Sequence, residues 1–463
     1  MPVERNRFIL TRLATRLAPI ALAVALSLGV TATARAQSLY ELYEAARGFD
    51  AAYLAARALA DSAVYKAEQA HALRRPGVGI GVTAARTGSD IPTSDTTKKD
   101  LNAAVNATQT LFNRGNDATI AQADKGVEAA KADVEAAEQD LIVRVSQAYF
   151  DVLAAQSALE SAQANKRAIA EQLASAKRNF EVGTATITDT REAQARYDLA
   201  TAQEVVADND LRTKRIALDT LVGRNAVEPK PLAAPVTLES VLSGTVDAWV
   251  APSEDSPPVR KARVALDVAK LETDKARAGH LPTVDFAASY GRGHNGTNGS
   301  QLSTSGPSAG SMLPFDISGP VTQSSIGVTL KLPLFAGFSV QNRVKETLLL
   351  EEQSRNNLEA ARRSVAQATR QAYFGVESGQ AQVKALEAAE SSSQLALEAT
   401  QLGYKVGVRV NLDVLNAQTQ LFTTRRDLAK ARYDVLVGSL KLRQAAGTLK
   451  PDDVLTVNRL LAK

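Results

Sequence analysis

The chain carries one helical-hairpin turn twice. Val182-Gly183-Thr184-Ala185-Thr186-Ile187-Thr188-Asp189 and Val406-Gly407-Val408-Arg409-Val410-Asn411-Leu412-Asp413 each place an Asp six residues after the glycine of a Val-Gly pair, at an offset of 224 residues. Ala193-Gln194 and Ala417-Gln418 keep that offset. A glycine ending one helix and an Asp opening the next mark a turn between antiparallel helices. Any fold for this chain must supply two such turns, at Gly183 and Gly407.

The first turn ends a very long run. No proline occurs from Asn113 to Glu181, and Val127, Ala130, Val134, Ala137, Leu141, Val145, Ala148 and Val152 recur at steps of three or four. That is the seam of a helix packed closely along its length. About 68 helical residues reach roughly 100 Å, too far for the interior of a globule. A return helix is predicted from about Asp189 to Thr220, ending at Leu221-Val222-Gly223-Arg224. Asp189 and Asp413 also suit helix N-caps, with Glu192 in capping-box position after Asp189.

Ahead of the long run lie a helix from Leu39 to about Leu73, stopped by Pro76, and two segments of period two. In Gly77–Ala84 the even positions are apolar, and in Leu101–Phe112 one face carries Asn102, Asn106, Thr108 and Thr110. Strands are predicted at 77–86 and 101–112, with Arg86 to Lys99 as a solvated loop. The pattern returns at an offset of 206, where Ala56, Arg57, Asp61 and Pro76 match Ala262, Arg263, Asp267 and Pro282. Strands are predicted at 283–291 and 325–335, around a Gly/Ser/Thr/Asn loop. The chain thus divides into a first repeat (37–230, turn near 183–189), a connector (231–257), a second repeat (258–450, turn near 405–413) and a C-terminal tail (451–463).

Residues 1–36 read as a secretory signal peptide: Arg5, Arg7, Arg12 and Arg16, an apolar run from Leu17 to Val30, then Ala34-Arg35-Ala36. The whole chain has 54 basic and 50 acidic residues; removing this segment takes five and one, leaving 49 of each. A neutral mature chain gives no support for a basic surface that would bind nucleic acid. With no cysteine it has no disulfide and no thiolate. No nucleophile–base pair, phosphate loop or paired-carboxylate cluster stands out, and His71, His280 and His294 are isolated, so no enzyme, cofactor or metal is expected.

Strands with one apolar and one polar face on an exported chain point to an outer-membrane barrel, because only closed barrels satisfy strand backbones in lipid. Four strands cannot close, whereas three copies supply twelve. A periplasmic coiled-coil scaffold or adaptor without a membrane span is the alternative, and the four alternating segments argue against it. The duplicated order, Thr329-Leu330-Lys331-Leu332-Pro333-Leu334-Phe335 and both turns resemble the TolC family of outer-membrane efflux proteins over nearly the whole mature chain. The specific motifs are Ile187-Thr188-Asp189 with Ala193, Tyr197 and Asp198, and Gly403-Tyr404-Lys405-Val406-Gly407-Val408-Arg409 with Asp413-Val414-Leu415-Asn416-Ala417.

The resemblance implies a mainly helical homotrimer in which long hairpins form an α-barrel continuous with a twelve-stranded barrel in outer-membrane lipid. It implies a passive duct for drugs, small molecules or secreted proteins, served by a periplasmic adaptor and an inner-membrane pump. It also implies a gate. Asp413 matches one of two acidic constriction rings, while the second falls on Asn416. Tyr404 and Arg409 match residues that tie the second hairpin to its neighbours, and Asp189 matches their carboxylate partner. Gln172 matches a further linking residue whose acidic partner falls on Gln401. One charged ring and a neutral link predict a gate that opens more easily than the family norm.

Overall fold

The computed structural model describes residues 37–184, 186–233, 242 and 244–462. The expected signal peptide, most of the first half of the connector and Lys463 lie outside them. In chain order come α1 (Leu39–Arg47), α2 (Ala51–His71), β1 (Gly77–Ile91), β2 (Ser94–Phe112), α3 (Arg114–Glu181) and α4 (Ile187–Val222). Then follow α5 (Val246–Val250), α6 (Pro257–Ala278), β3 (Thr283–Leu302), β4 (Met312–Lys331), α7 (Ser339–Lys405), α8 (Asn411–Ala445) and α9 (Pro451–Asn458).

The helix expected from Leu39 to Leu73 is two helices. Gly48 closes α1, and Asp50 opens α2 by accepting the Tyr53 N–H at 2.8 Å. The Asp50 carboxylate also takes a two-pronged bond from the Arg144 guanidinium of α3, at 2.9 and 3.1 Å, which pins the break to the long helix.

At 68 and 67 residues, α3 and α7 are rods of about 100 Å each. Shorter helices flank them in two storeys: α2, α3, α6 and α7 lie side by side near the sheet, and α4, α3, α8 and α7 toward the turns. This is a wall of four helices with free sides at α2/α4 and at α7. The α3 seam packs as its period requires, with Leu141, Val145 and Val152 fully buried. Around the middle of the wall these join Leu39, Leu42, Tyr149, Phe150, Leu218, Leu436 and Leu440 in one core. The C-terminal segment, expected as a tail, belongs to it: Val454, Val457 and Leu461 are buried, and Leu461 bridges Leu232. Toward the turns the apolar clusters are small, one around Ile169, Leu173 and Leu415, the other around Leu397, Val414 and Leu421.

The strands form one antiparallel sheet in the order β1-β2-β3-β4. They run well past the predicted limits. β1 and β2 turn at Pro92-Thr93, and β3 and β4 at residues 303–311, so most of the two expected loops is paired strand. Backbone pairing continues regardless of side chain, and where both faces meet water the alternation that marks a strand disappears. β4 stops at Lys331, short of the expected 335, because Pro333 cannot donate to a ladder. The register puts Ile80, Val105 and Tyr290 in one row, and Val78, Ala107, Ala288 and Ile326 in the next. That face is apolar and bare, with Ile80 77% and Ile326 78% exposed. The opposite face carries Thr83, Asn102, Asn106, Asp285, Ser289, Thr329 and Lys331, with the Ser289 and Ser325 hydroxyls 2.8 Å apart. Among the described residues no helix is long and apolar enough to cross a membrane.

Candidate functional site at the hairpin turns

Both turns close in the same way. The Gly183 N–H donates to Phe180 O at 3.0 Å and the Thr184 N–H to Asn179 O at 2.8 Å; Gly407 and Val408 repeat this with Tyr404 O and Gly403 O at 3.1 and 3.0 Å. These paired bonds require a left-handed residue, and Gly183 and Gly407 sit at φ of 81° and 82°.

The helices that leave the turns start differently from the expected N-caps. Thr186 caps α4, and Asp189 stands at the third helical position, its carboxylate accepting the Thr186 N–H at 2.9 Å and hydroxyl at 2.8 Å. Asp413 holds the same place in α8 and accepts the Val410 N–H at 3.4 Å. Val410 has no side-chain oxygen, so only half of that box forms. Glu192 plays no part, since Asp189 is itself the reciprocal acceptor. Each carboxylate sits at a helix N-terminus, where the backbone dipole favours it.

The link residues distribute unevenly. Tyr404 packs against the Leu397/Val414/Leu421 cluster, and its hydroxyl accepts a bond from Asn179 Nδ2 of α3 at 3.3 Å. Arg409 pairs within its own turn with Asp413, Nη1 to Oδ2 at 3.6 Å, both partly exposed. Within one chain Asp189 therefore meets neither Tyr404 nor Arg409, and no hydrogen bond joins Gln172 to Gln401 among the described residues. Asn416, the neutral member of the expected ring pair, accepts a bond from Arg196 Nη2 of α4 at 2.9 Å. This contact joins the two hairpins directly.

Sequence reading missed Arg196, Asn179 and Asn411. The first two are surface polar residues whose partners lie 220 and 225 positions away. Asn411 opens α8 at only 3% exposure, with neither side-chain polar atom hydrogen-bonded. Gln418, two turns on, is 5% exposed with an unbonded Oε1. Buried amides without partners weaken a seam, so α8 is held less firmly at its turn than at its middle. No group of His, Cys, Asp or Glu among the described residues could hold a metal ion.

Comparison with known proteins places this architecture. The family model described as outer membrane efflux protein matches residues 42–224 and 253–448. The outer membrane protein TolC of Vibrio cholerae is 33% identical over 431 residues, 91% of this chain and 93% of that protein. The alkaline protease secretion protein AprF of Pseudomonas aeruginosa is 32% identical over 320 residues, 68% of this chain and 63% of that protein. Among solved structures, the open state of the Neisseria gonorrhoeae MtrE outer membrane channel superposes with a TM-score of 0.70 at 22% identity, covering 89% of this chain and 90% of that one. The family consists of channels, trimeric in the TolC type and working with adaptor and inner-membrane pump partners. The chain belongs to the outer membrane efflux protein family: it is a TolC-like outer-membrane channel that extends into the periplasm, its four-stranded sheet one third of a twelve-stranded barrel.

Proposed function

We propose that this chain works as a homotrimer, a passive duct that receives drugs, small molecules or secreted proteins from a periplasmic adaptor and an inner-membrane pump. The observation that carries the reading is that one protomer is unfinished on both sides. β1 and β4 are sheet edges with unpaired backbone groups, and their apolar faces are bare. On α7, Phe374, Ala381, Ala388, Leu395 and Leu402 form an exposed stripe at a strict seven-residue step. On α4, Ala195, Leu199, Ala202 and Val206 form another. Three copies related by a cyclic axis pair β4 with the neighbour's β1 and α7 with the neighbour's α4, and no edge remains.

In that ring the turns converge at the inner end, and Asp413 lines the constriction as one carboxylate ring. Asn416 stands beside it without charge. The second hairpin is the moving part: Tyr404 and Arg409 hold it, with Asp189, Gln172 and Gln401 on the facing surfaces between protomers. Opening swings the α7–α8 turn outward about its junction with the middle core. Gly183 and Gly407 keep the turns tight as it moves.

Planar-bilayer conductance of the purified trimer tests the gate. Arg409→Ser should raise open probability, and an unchanged open probability would remove Arg409 from the latch. The reading as a periplasmic scaffold is disfavoured by the bare apolar belt on the sheet. Recovery of the trimer from soluble periplasm without detergent would revive it.

A further inference from the structure

On the outward face of the sheet, the apolar run ends on three of four strands at a cation. Along β1 the outward residues Val78, Ile80, Val82 and Ala84 are followed by Arg86. Along β2 the run ends at Leu101, and Lys99 comes next; along β3 it ends at Tyr290, and Arg292 comes next. On β4 the run ends at Ile326, and the uncharged Ser324 comes next. The register is continuous through all three positions, so alternation fixes them on the lipid-facing side. Arg86 and Lys99 share one row of the sheet, and Arg292, which pairs with Ala103, lies two outward rows nearer the helices on β3. Each cation directly follows the last apolar outward residue of its strand, so the three form a collar along the rim of the apolar belt.

The collar is on the hairpin side of the apolar belt, the end away from the helices, and hence on the outer leaflet. The opposite rim has no counterpart: the outward residues there are Val78, Gln109, Val284 and Leu330. Arg86 and Lys99 are direct cross-strand partners, an arrangement that repels unless an anion lies between them. Arg86, Lys99 and Arg292 are exposed, and none has an ion pair or side-chain hydrogen bond among the described residues. The nearest carboxylates on that face of β1 and β2, Asp90 and Asp95, lie two residue pairs further out, about 13 Å along the strand.

We propose that Arg86, Lys99 and Arg292 form a binding collar for phosphorylated lipid headgroups of the outer leaflet. The inference rests on the barrel reading. The long cationic side chains reach from the edge of the belt to headgroup height, where a phosphate offers paired acceptors to guanidinium. The one-sided placement selects the leaflet and the unpaired charges select an anion. The position at the rim of the belt selects a lipid rather than a free ion.

The test compares the trimer with the variant R86Q/K99Q/R292Q in phosphatidylcholine vesicles with and without diphosphoryl lipid A. Lipid retention is read by native mass spectrometry, and heat resistance of the trimer by gel. Wild type should retain the phosphorylated lipid and gain heat resistance from it, while the variant retains at least roughly tenfold less and gains none. Lys98→Gln, a neighbouring cation on the inward face, should behave as wild type. Equal retention by the triple variant, an equal loss in Lys98→Gln, or complete displacement by millimolar inorganic phosphate would each overturn the collar. Conductance of the same samples in phosphatidylcholine separates the two claims: a conducting variant with unchanged lipid retention defeats only the collar, whereas a wild type that does not conduct defeats the duct.

Discussion

Two residue-scale contacts set different parts of the molecule. The Asp50–Arg144 pair is structural. Arg144 holds the Asp50 carboxyl below its ordinary range, against a smaller opposing effect of burial. A depressed folded-state value means the pair stabilises above the unfolded carboxylate range, and the contribution is lost as pH falls through the folded value. Asp50→Asn keeps a helix cap but discards the charge. It should cost about 2 kcal/mol of stability at neutral pH, less than a fully buried pair because Arg144 is 36% exposed. Thermal unfolding in detergent checks this: the gap between wild type and variant should close on acidification, and a gap that persists would assign it to packing. Arg196 and Asn416 join the two helical hairpins near their turns, where the proposed gate lies. With a guanidinium 2.9 Å from its amide oxygen, Asn416→Asp creates an ion pair before it creates a ring of free carboxylates. The single variant should therefore add little cation block in planar bilayers, while N416D/R196Q should add clearly more. Equal block in both would show that Arg196 turns away in the assembled channel.

At the scale of elements, legibility followed periodicity. The α3 seam could be read because every third or fourth residue had to be apolar for close packing, and the burial of Leu141, Val145 and Val152 follows that rule. The sheet could be read only where lipid enforces alternation. Beyond Ala84 and Tyr290 both faces carry polar residues, so the outer halves of the strands look like loop although the ladder runs on. The turns were legible as turns, because Val-Gly before a capped helix is a local signal. Which side chains cross from hairpin to hairpin was not, since Arg196 and Asn416 meet through the packing of α4 against α8 and no local pattern encodes that angle. Helix α8 itself changes character along its length. From Leu428 to Leu442 it lies in the large middle core, whereas from Asn411 to Leu421 it rests on small clusters and unbonded amides. Hydrogen exchange should read this directly, with amides of 411–421 exchanging at least roughly tenfold faster than those of 428–442. Uniform protection would mean that the hairpin moves as a rigid rod with its hinge elsewhere.

On the scale of the whole molecule, a protomer is a strip of wall that buries too little surface alone. Phe374, Leu395 and Leu402 on α7 are 54%, 63% and 63% exposed, and Leu199 and Val206 on α4 are 51% and 69% exposed. Both stripes repeat at helix-pairing steps, which suits them to the proposed seam with a neighbouring protomer. A ring of three makes this interface three times, and weakening it once per chain weakens every joint. Leu395→Glu places an unpaired carboxylate in the seam, and burying such a charge costs several kcal/mol at each joint. The middle core, built within one chain, does not include Leu395 and should survive. The expected outcome is a protein of unchanged helical content by circular dichroism that runs as a monomer in detergent sedimentation, with conductance lost because four strands alone cannot close. A trimer of undiminished heat resistance would instead place the α7 stripe on the outer surface of the tunnel, and a different helix face would then have to join the protomers.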